Sequence, residues 1–125
     1  MARISRIAPE LPAANLHAAI AFHAAIAFYE HKLGFRVAMQ MPAGDYAIVE
    51  RDGVAIHLFQ DDSRKHAPVG IHVFTSDLEE LRDEFVERGA TLSQDILRKP
   101  WGNRDFRLHD GFGNQIKFTG PPTED

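Results

Sequence analysis

Residues 69–89, VGIHVFTSDLEELRDEFVERG, decide how the chain folds. Residues 69–75 alternate in the period-2 pattern of a strand. Ser76-Asp77-Leu78-Glu79 has the form of a capping box, in which Ser76 and Glu79 satisfy each other's neighbouring amides. The helix it opens puts Leu78, Leu81, Phe85 and Val86 on one face, and Gly89 suits its end. Towards the C-terminus, strands are expected at 91–98, 104–109 and 115–119, with Asp110-Gly111-Phe112-Gly113-Asn114 as a turn. The same order lies on the N-terminal side. A strand at 4–11 precedes Asn15, a helix N-cap, and an alanine-rich helix over 16–33 that Gly34 ends. Strands follow at 35–41, 46–51 and 54–60, joined by Pro42-Ala43-Gly44-Asp45 and by Asp52-Gly53, a strong hairpin signal. Residues 61–68 read as a linker. The pattern is βαβββ twice, an α+β fold.

The chain has 125 residues, 44% hydrophobic and 26% charged, which is globular composition within one domain's length. No apolar run approaches the roughly 20 residues a membrane helix needs. Residues 1–6 lead into a segment broken by Pro9 and Pro12, unlike the uninterrupted core of a secretory signal, so a cytoplasmic location is expected. With no cysteine there is no disulfide framework, thiolate metal site or cysteine nucleophile. The net charge of −4 disfavours a nucleic-acid partner and mildly favours a cationic small molecule.

One short repeat is identical. His17-Ala18-Ala19-Ile20-Ala21-Phe22 recurs as His23-Ala24-Ala25-Ile26-Ala27-Phe28. Six residues advance a helix by about 600°, so the two copies face directions about 120° apart and cannot share one apolar stripe. The repeat reads as a duplication that lengthens the helix or places extra turns in a loop or a neighbouring subunit.

Two stretches carry a resemblance. One is Asn15-Leu16 with Ala27-Phe28-Tyr29-Glu30-His31-Lys32-Leu33-Gly34-Phe35, whose spacing is restored when either hexapeptide copy is removed. The other is Pro100-Trp101-Gly102-Asn103-Arg104-Asp105-Phe106 followed by Asp110-Gly111-Phe112-Gly113-Asn114-Gln115-Ile116-Lys117-Phe118. Together they resemble the vicinal-oxygen-chelate superfamily (glyoxalase, bleomycin resistance protein, dioxygenase), and within it the bleomycin-resistance branch. The resemblance implies one domain over 1–125, with module one at about 1–60, module two at about 69–120 and a tail at 121–125. It also implies a cupped mixed sheet and a homodimer with two shared pockets.

Members with enzymatic activity hold a divalent metal, whereas bleomycin-resistance proteins bind their drug without metal or turnover. At the family's metal positions this chain places Ala8, His57, Gly70 and Lys117. Ala8 offers no donor, and a lysine ammonium has no lone pair. No cofactor is therefore expected. The alternative is a divalent-metal lyase or dioxygenase using His57, His72 and Glu10, a two-histidine, one-carboxylate set that requires a register shift on two strands.

Alternation sends Glu10, His57, His72 and Lys117 to one face, which the resemblance identifies as the concave one. They either orient a polar ligand or pair among themselves, Glu10 with Lys117 or a histidine. Trp101, the only tryptophan, is the candidate for stacking on an aromatic, cationic ligand; its alternative is a buried anchor for the strand crossover. Met39 stands where the family has a partner aromatic, with Tyr46 and Phe59 as substitutes. Asp45, Glu50, Asp52, Asp61 and Asp62 form either an attractive cleft mouth or a solvated rim. Arg104 and Asp105 read as a structural ion pair. The expected function is metal-free binding of a small molecule in a dimer-interface pocket, with no nucleic acid or membrane partner.

Overall fold

A computed structural model describes residues 2–14, 18–61 and 66–122. The order is β1 (Glu10–Ala14), α1 (Ala18–Ala27, continued by a π-helical turn, Phe28–Lys32), β2 (Arg36–Gln40), β3 (Tyr46–Arg51) and β4 (Val54–Asp61). It then repeats as β5 (Gly70–Phe74), α2 (Leu78–Glu87), β6 (Gln94–Arg98), β7 (Arg104–His109) and β8 (Gln115–Gly120). The sheets run β1-β4-β3-β2 and β5-β8-β7-β6, each with one parallel edge pair and two antiparallel ones. This is the paired βαβββ, α+β fold the sequence predicts. No described helix is long and apolar enough to cross a membrane.

The first strand is shorter and later than 4–11. It pairs with β4 in the register Glu10↔His57, so residues before Ile7 run past Val54, where β4 begins. They have no strand to bond, and Ile4 and Ile7 remain 95% and 90% exposed. Pro12 is tolerated because β1 is an edge strand, where a missing donor breaks no ladder.

In the helical segment Ala25, Ile26, Tyr29 and Leu33 are buried on one side, at the spacing of a single stripe. Ala25 and Ile26 of the second hexapeptide copy thus belong to the packed stripe, and the helix runs on from Ala18 into that copy. Asn15 and its capping role lie outside the described residues, as do Asp62 and the tail from 123. Gly34 closes the segment at φ +71, where the Phe35 amide donates back to the Tyr29 carbonyl at 2.9 Å. A Cβ there would also come within 2.9 Å of the Arg51 and Arg88 guanidiniums.

α2 begins one residue later than the capping box implies. Asp77 is its cap residue with no side-chain cap bond, while the Asp77 amide donates to Thr75 Oγ1 at 3.0 Å. Glu79 instead accepts from Arg104, an arginine on β7, because that charge-assisted bond outcompetes a neutral amide. Arg104 and Asp105 therefore do not pair with each other. Adjacent strand residues point to opposite faces, and Asp105 is held by Arg107 (3.4 Å), Lys99 (3.7 Å) and Gln94 (2.7 Å).

One apolar core joins the modules. Leu11, Val49, Ile56 and Leu58 of the first sheet cluster with Leu78, Phe85, Phe106, Ile116 and Phe118 of the second module. Two polar junctions cross it. Arg51 donates from both Nη atoms to Glu84 (2.6 and 2.8 Å) and lies 5.8 Å over the Phe85 ring. Asp110 and Asn114, which read as turn formers, are buried connectors. Asn114 Nδ2 donates to the Pro12 carbonyl and to Asp110, both at 2.7 Å, and Asn114 Oδ1 accepts the Val69 amide at 3.0 Å. Tyr29, fully buried, donates its hydroxyl to Asp110 at 3.0 Å.

Tyr29→Phe keeps the ring and removes that donor. It should cost about 1.5–3 kcal/mol, the value of a buried hydrogen bond to a charged group, in urea denaturation. A loss below about 0.5 kcal/mol would show that Asn114 and the turn amides satisfy Asp110 without it. The Arg51 hydrogen bond, against burial, holds the Glu84 carboxyl down at about 2. Its folded pKa lies below its ordinary value of 4.5, so its stabilisation is full above that value and is lost as pH falls through about 2. Glu84→Gln should therefore cost about 1 kcal/mol at pH 7, the pair being partly screened, and almost nothing at the acid end of a pH series.

Candidate functional site

The helices and the shared core take one face of each sheet, and alternation leaves the predicted site residues on the other. On the first sheet, Glu10 of β1 is the register partner of His57 on β4, and Tyr46 of β3 is opposite Phe59. Met39 is opposite Ile48, one same-face step from Tyr46. These five predicted residues share one open face.

Three of them are hydrogen-bonded. The Tyr46 hydroxyl donates to Glu10 Oε2 at 2.6 Å and lies 2.8 Å from His57 Nδ1. Its ring meets the imidazole edge-on, at 5.7 Å and 81°. The hydrogen bond to the Glu10 carboxylate raises the phenol's pKa above its usual value and keeps it protonated. Phe59 packs edge-on to His66 at 5.1 Å.

The second sheet carries the other two. His72 on β5 and Lys117 on β8 are register partners, and Arg107 on β7 flanks Lys117 on its other side. His72 Nδ1 lies 3.1 Å from Thr119 Oγ1, and its ring stacks with Phe74 at 6.1 Å. Among the described residues Lys117 has no hydrogen-bond or ion-pair partner, so the expected pairing with Glu10 does not form; Tyr46 takes that carboxylate. Beside it, burial pushes the Asp105 carboxyl up, and Arg107, Gln94 and Lys99 more than offset that, leaving it low.

The alternative metal set is not brought together within one chain. Glu10 and His57 lie on the first sheet and His72 on the second, and no group of three or more His, Asp or Glu among the described residues could hold a metal ion. Lys117 at the register position beside His72 adds a positive charge where a cation would need a donor. Within one chain, therefore, the described residues do not assemble this set.

Trp101 sits in the turn between β6 and β7, closed by Lys99 N to Asn103 O (2.7 Å) and Gly102 N to Lys99 O (2.9 Å). It is 74% exposed, which excludes a buried anchor and leaves the ring free to meet another surface. Phe74, equally exposed, is a second aromatic that the sequence reading missed. The predicted acidic cluster disperses. Glu50 pairs with Arg36 at 2.7 Å, Asp61 accepts the His66 amide at 2.9 Å, and Asp52 borders a different cleft. That cleft, about 470 Å³, lies between the β3–β4 turn and α2 and is crossed by the Arg51–Glu84 pair. Of the residues expected at the site it contains only Asp52, and Phe74 also lines it. Size alone does not make it the site, because the Arg51–Glu84 pair that crosses it already ties the two modules together.

The fold is shared with solved structures of known relatives. The bleomycin resistance determinant encoded on the transposon Tn5 superposes with a TM-score of 0.78 at 18% identity, over 96% of this chain and 100% of that one. TioX from Micromonospora sp. ML1 gives 0.71 at 21% identity (93% and 99%). Lactoylglutathione lyase from Agrobacterium tumefaciens gives 0.68 at 19% (94% and 95%). At these identities the likeness is one of fold. No curated protein sequence matches. The sequence model of the Glyoxalase/Bleomycin resistance protein/Dioxygenase superfamily matches residues 17–118, most of the chain, and with the paired βαβββ modules this places the protein in that superfamily.

Proposed function

We propose that the protein is a metal-free small-molecule binder that holds an aromatic, cationic compound in a pocket shared between two copies. The carrying observation is the contrast between its two open sheet faces. The first presents Glu10, Tyr46, His57, Phe59 and Met39, an acidic and aromatic wall. The second presents Lys117, unpaired among the described residues, beside His72 and Arg107, the last held by Asp105, on the module that also carries the exposed rings of Phe74 and Trp101.

No hydrogen bond or ring contact joins the two walls within the described residues. Setting the first wall of one copy against the second wall of another satisfies opposite charges and removes exposed aromatic surface from water, which favours association by roughly 25 cal/mol per Å² of apolar area. A flat ring entering between them gains stacking on Trp101, and a positive group is drawn to the Glu10 side. The likeness to a bleomycin resistance determinant supports binding of this kind, and the unsuitability of Lys117 as a ligand supports a site without metal.

Two measurements test the proposal. Elemental analysis of protein purified without chelator or affinity tag should find no stoichiometric divalent ion. A near-stoichiometric one would overturn the metal-free reading and return His57, His72 and Glu10 to the centre of an enzyme. Titration calorimetry with an aromatic cationic drug such as bleomycin should show Trp101→Ala weakening binding by roughly twofold to tenfold, the value of about 0.5–1.5 kcal/mol of ring stacking. Unchanged affinity would remove Trp101 from the site.

A further inference from the structure

The hydrogen bonds around Tyr46 fix more than a shape. An O···O separation of 2.6 Å between a phenol and a carboxylate requires a proton between them, and the ionised carboxylate has none to give. The single Tyr46 proton is therefore donated to Glu10. At 2.8 Å from His57 Nδ1, the same phenol oxygen then has only lone pairs to offer. The proton in that contact must come from the ring, so neutral His57 carries its hydrogen on Nδ1 and keeps a lone pair on Nε2.

Nε2 has no partner among the described residues. No buried side-chain nitrogen or oxygen among them lacks one, so this atom is open at the surface of the face. His72 differs, because Thr119 Oγ1 can give or accept a proton and sets no tautomer.

The geometry points to His57 Nε2 as a hydrogen-bond acceptor of the pocket, held in that state by Glu10 and Tyr46, which selects ligands presenting an N–H or O–H donor. An amidinium, ammonium, amide or phenol meets this atom; a carboxylate or other pure acceptor finds its lone pair opposed. Tyr46 acts here as a positioning residue. The selection of donors rests on the binding function proposed above, whereas the tautomer is a property of the free protein.

Long-range ¹H–¹⁵N correlation spectra of histidine-labelled protein, recorded where the rings are neutral, read the tautomer without ligand. Wild-type His57 should show a protonated Nδ1 and a bare Nε2, assigned by the loss of its signals in His57→Gln. Glu10→Leu frees the Tyr46 proton for Nδ1 and should switch His57 to the Nε2–H form; Tyr46→Phe should abolish the Nδ1–H preference. The His72 signals should be unmoved in both, reporting an intact fold. Benzamidine should then shift the His57 Nε2 resonance and benzoate should not. An Nε2–H ring in the wild type overturns the inference and leaves the binding function to its own tests. A response to benzoate but not benzamidine overturns the donor selection. An Nδ1–H ring that neither probe perturbs overturns the donor selection together with binding at this face.

Discussion

The structure depends on a buried polar junction at the turn between β7 and β8. Asp110, Asn114 and Tyr29 are almost wholly removed from water, and burying a carboxylate, a carboxamide and a phenol is costly unless each polar atom is bonded. They satisfy one another: Asp110 Oδ1 accepts the amides of Phe112 and Asn114, and Oδ2 accepts from Asn114 Nδ2 and the Tyr29 hydroxyl. Asn114 also reaches the Pro12 carbonyl, 102 positions earlier in the chain. That bond specifies where β1 lies against the second module. A purely apolar contact would leave the two modules free to slide, since dispersion and burial are not directional.

The site follows from this joining. Each module has one apolar sheet face, and both are used in the common core beneath α1 and α2. The Arg51–Glu84 pair and the close approach of Arg51 and Arg88 at Gly34 tighten the same seam. What remains for chemistry is the opposite face of each sheet, and period-2 alternation decides which residues occupy it. Glu10, Tyr46, His57 and Phe59 have no freedom to face the core while Leu11, Ala47, Ile56 and Leu58 fill it. The polar face and the core are one decision.

Much of this was legible in the residues. Asp52-Gly53 and the 110–114 turn set the hairpins, and with them the face on which His57 and Lys117 lie. The same arithmetic would have found Arg107, since pairing His109 with Gln115 puts Arg107 opposite Lys117. Other features depend on distant partners that a local reading does not see. Residues 4–6 lie past the end of β1's partner strand, which begins at Val54 opposite Ile7. Glu79 abandons its cap for Arg104, a residue 25 positions away. Asp110 and Asn114 have the composition of any turn, and only Tyr29 and Pro12 reveal them as connectors. In the duplicated helix, phase alone says that the copies face different ways; that Ala25 and Ile26 of the second lie on the buried stripe follows from its direct connection to Tyr29 and Leu33, whose burial fixes that stripe.

The polarity of the two open faces bears on how such a scaffold changes function. A metal centre needs several donors at once, so a cation at one of their positions counts heavily against it, and this is the weight that the proposed metal-free reading places on Lys117. Binding by aromatic contact and directed hydrogen bonds has no such all-or-none requirement. On that reading His57 has a different task. As a metal ligand it would offer a lone pair to a cation; held by Glu10 and Tyr46, it offers the same lone pair to a donor N–H or O–H. The carboxylate behind it keeps the electrostatic preference for positive charge. The proposed binding face thus sets a hydrogen-bond acceptor beside a negative charge, and a positively charged organic group carrying an N–H is the species that would meet both.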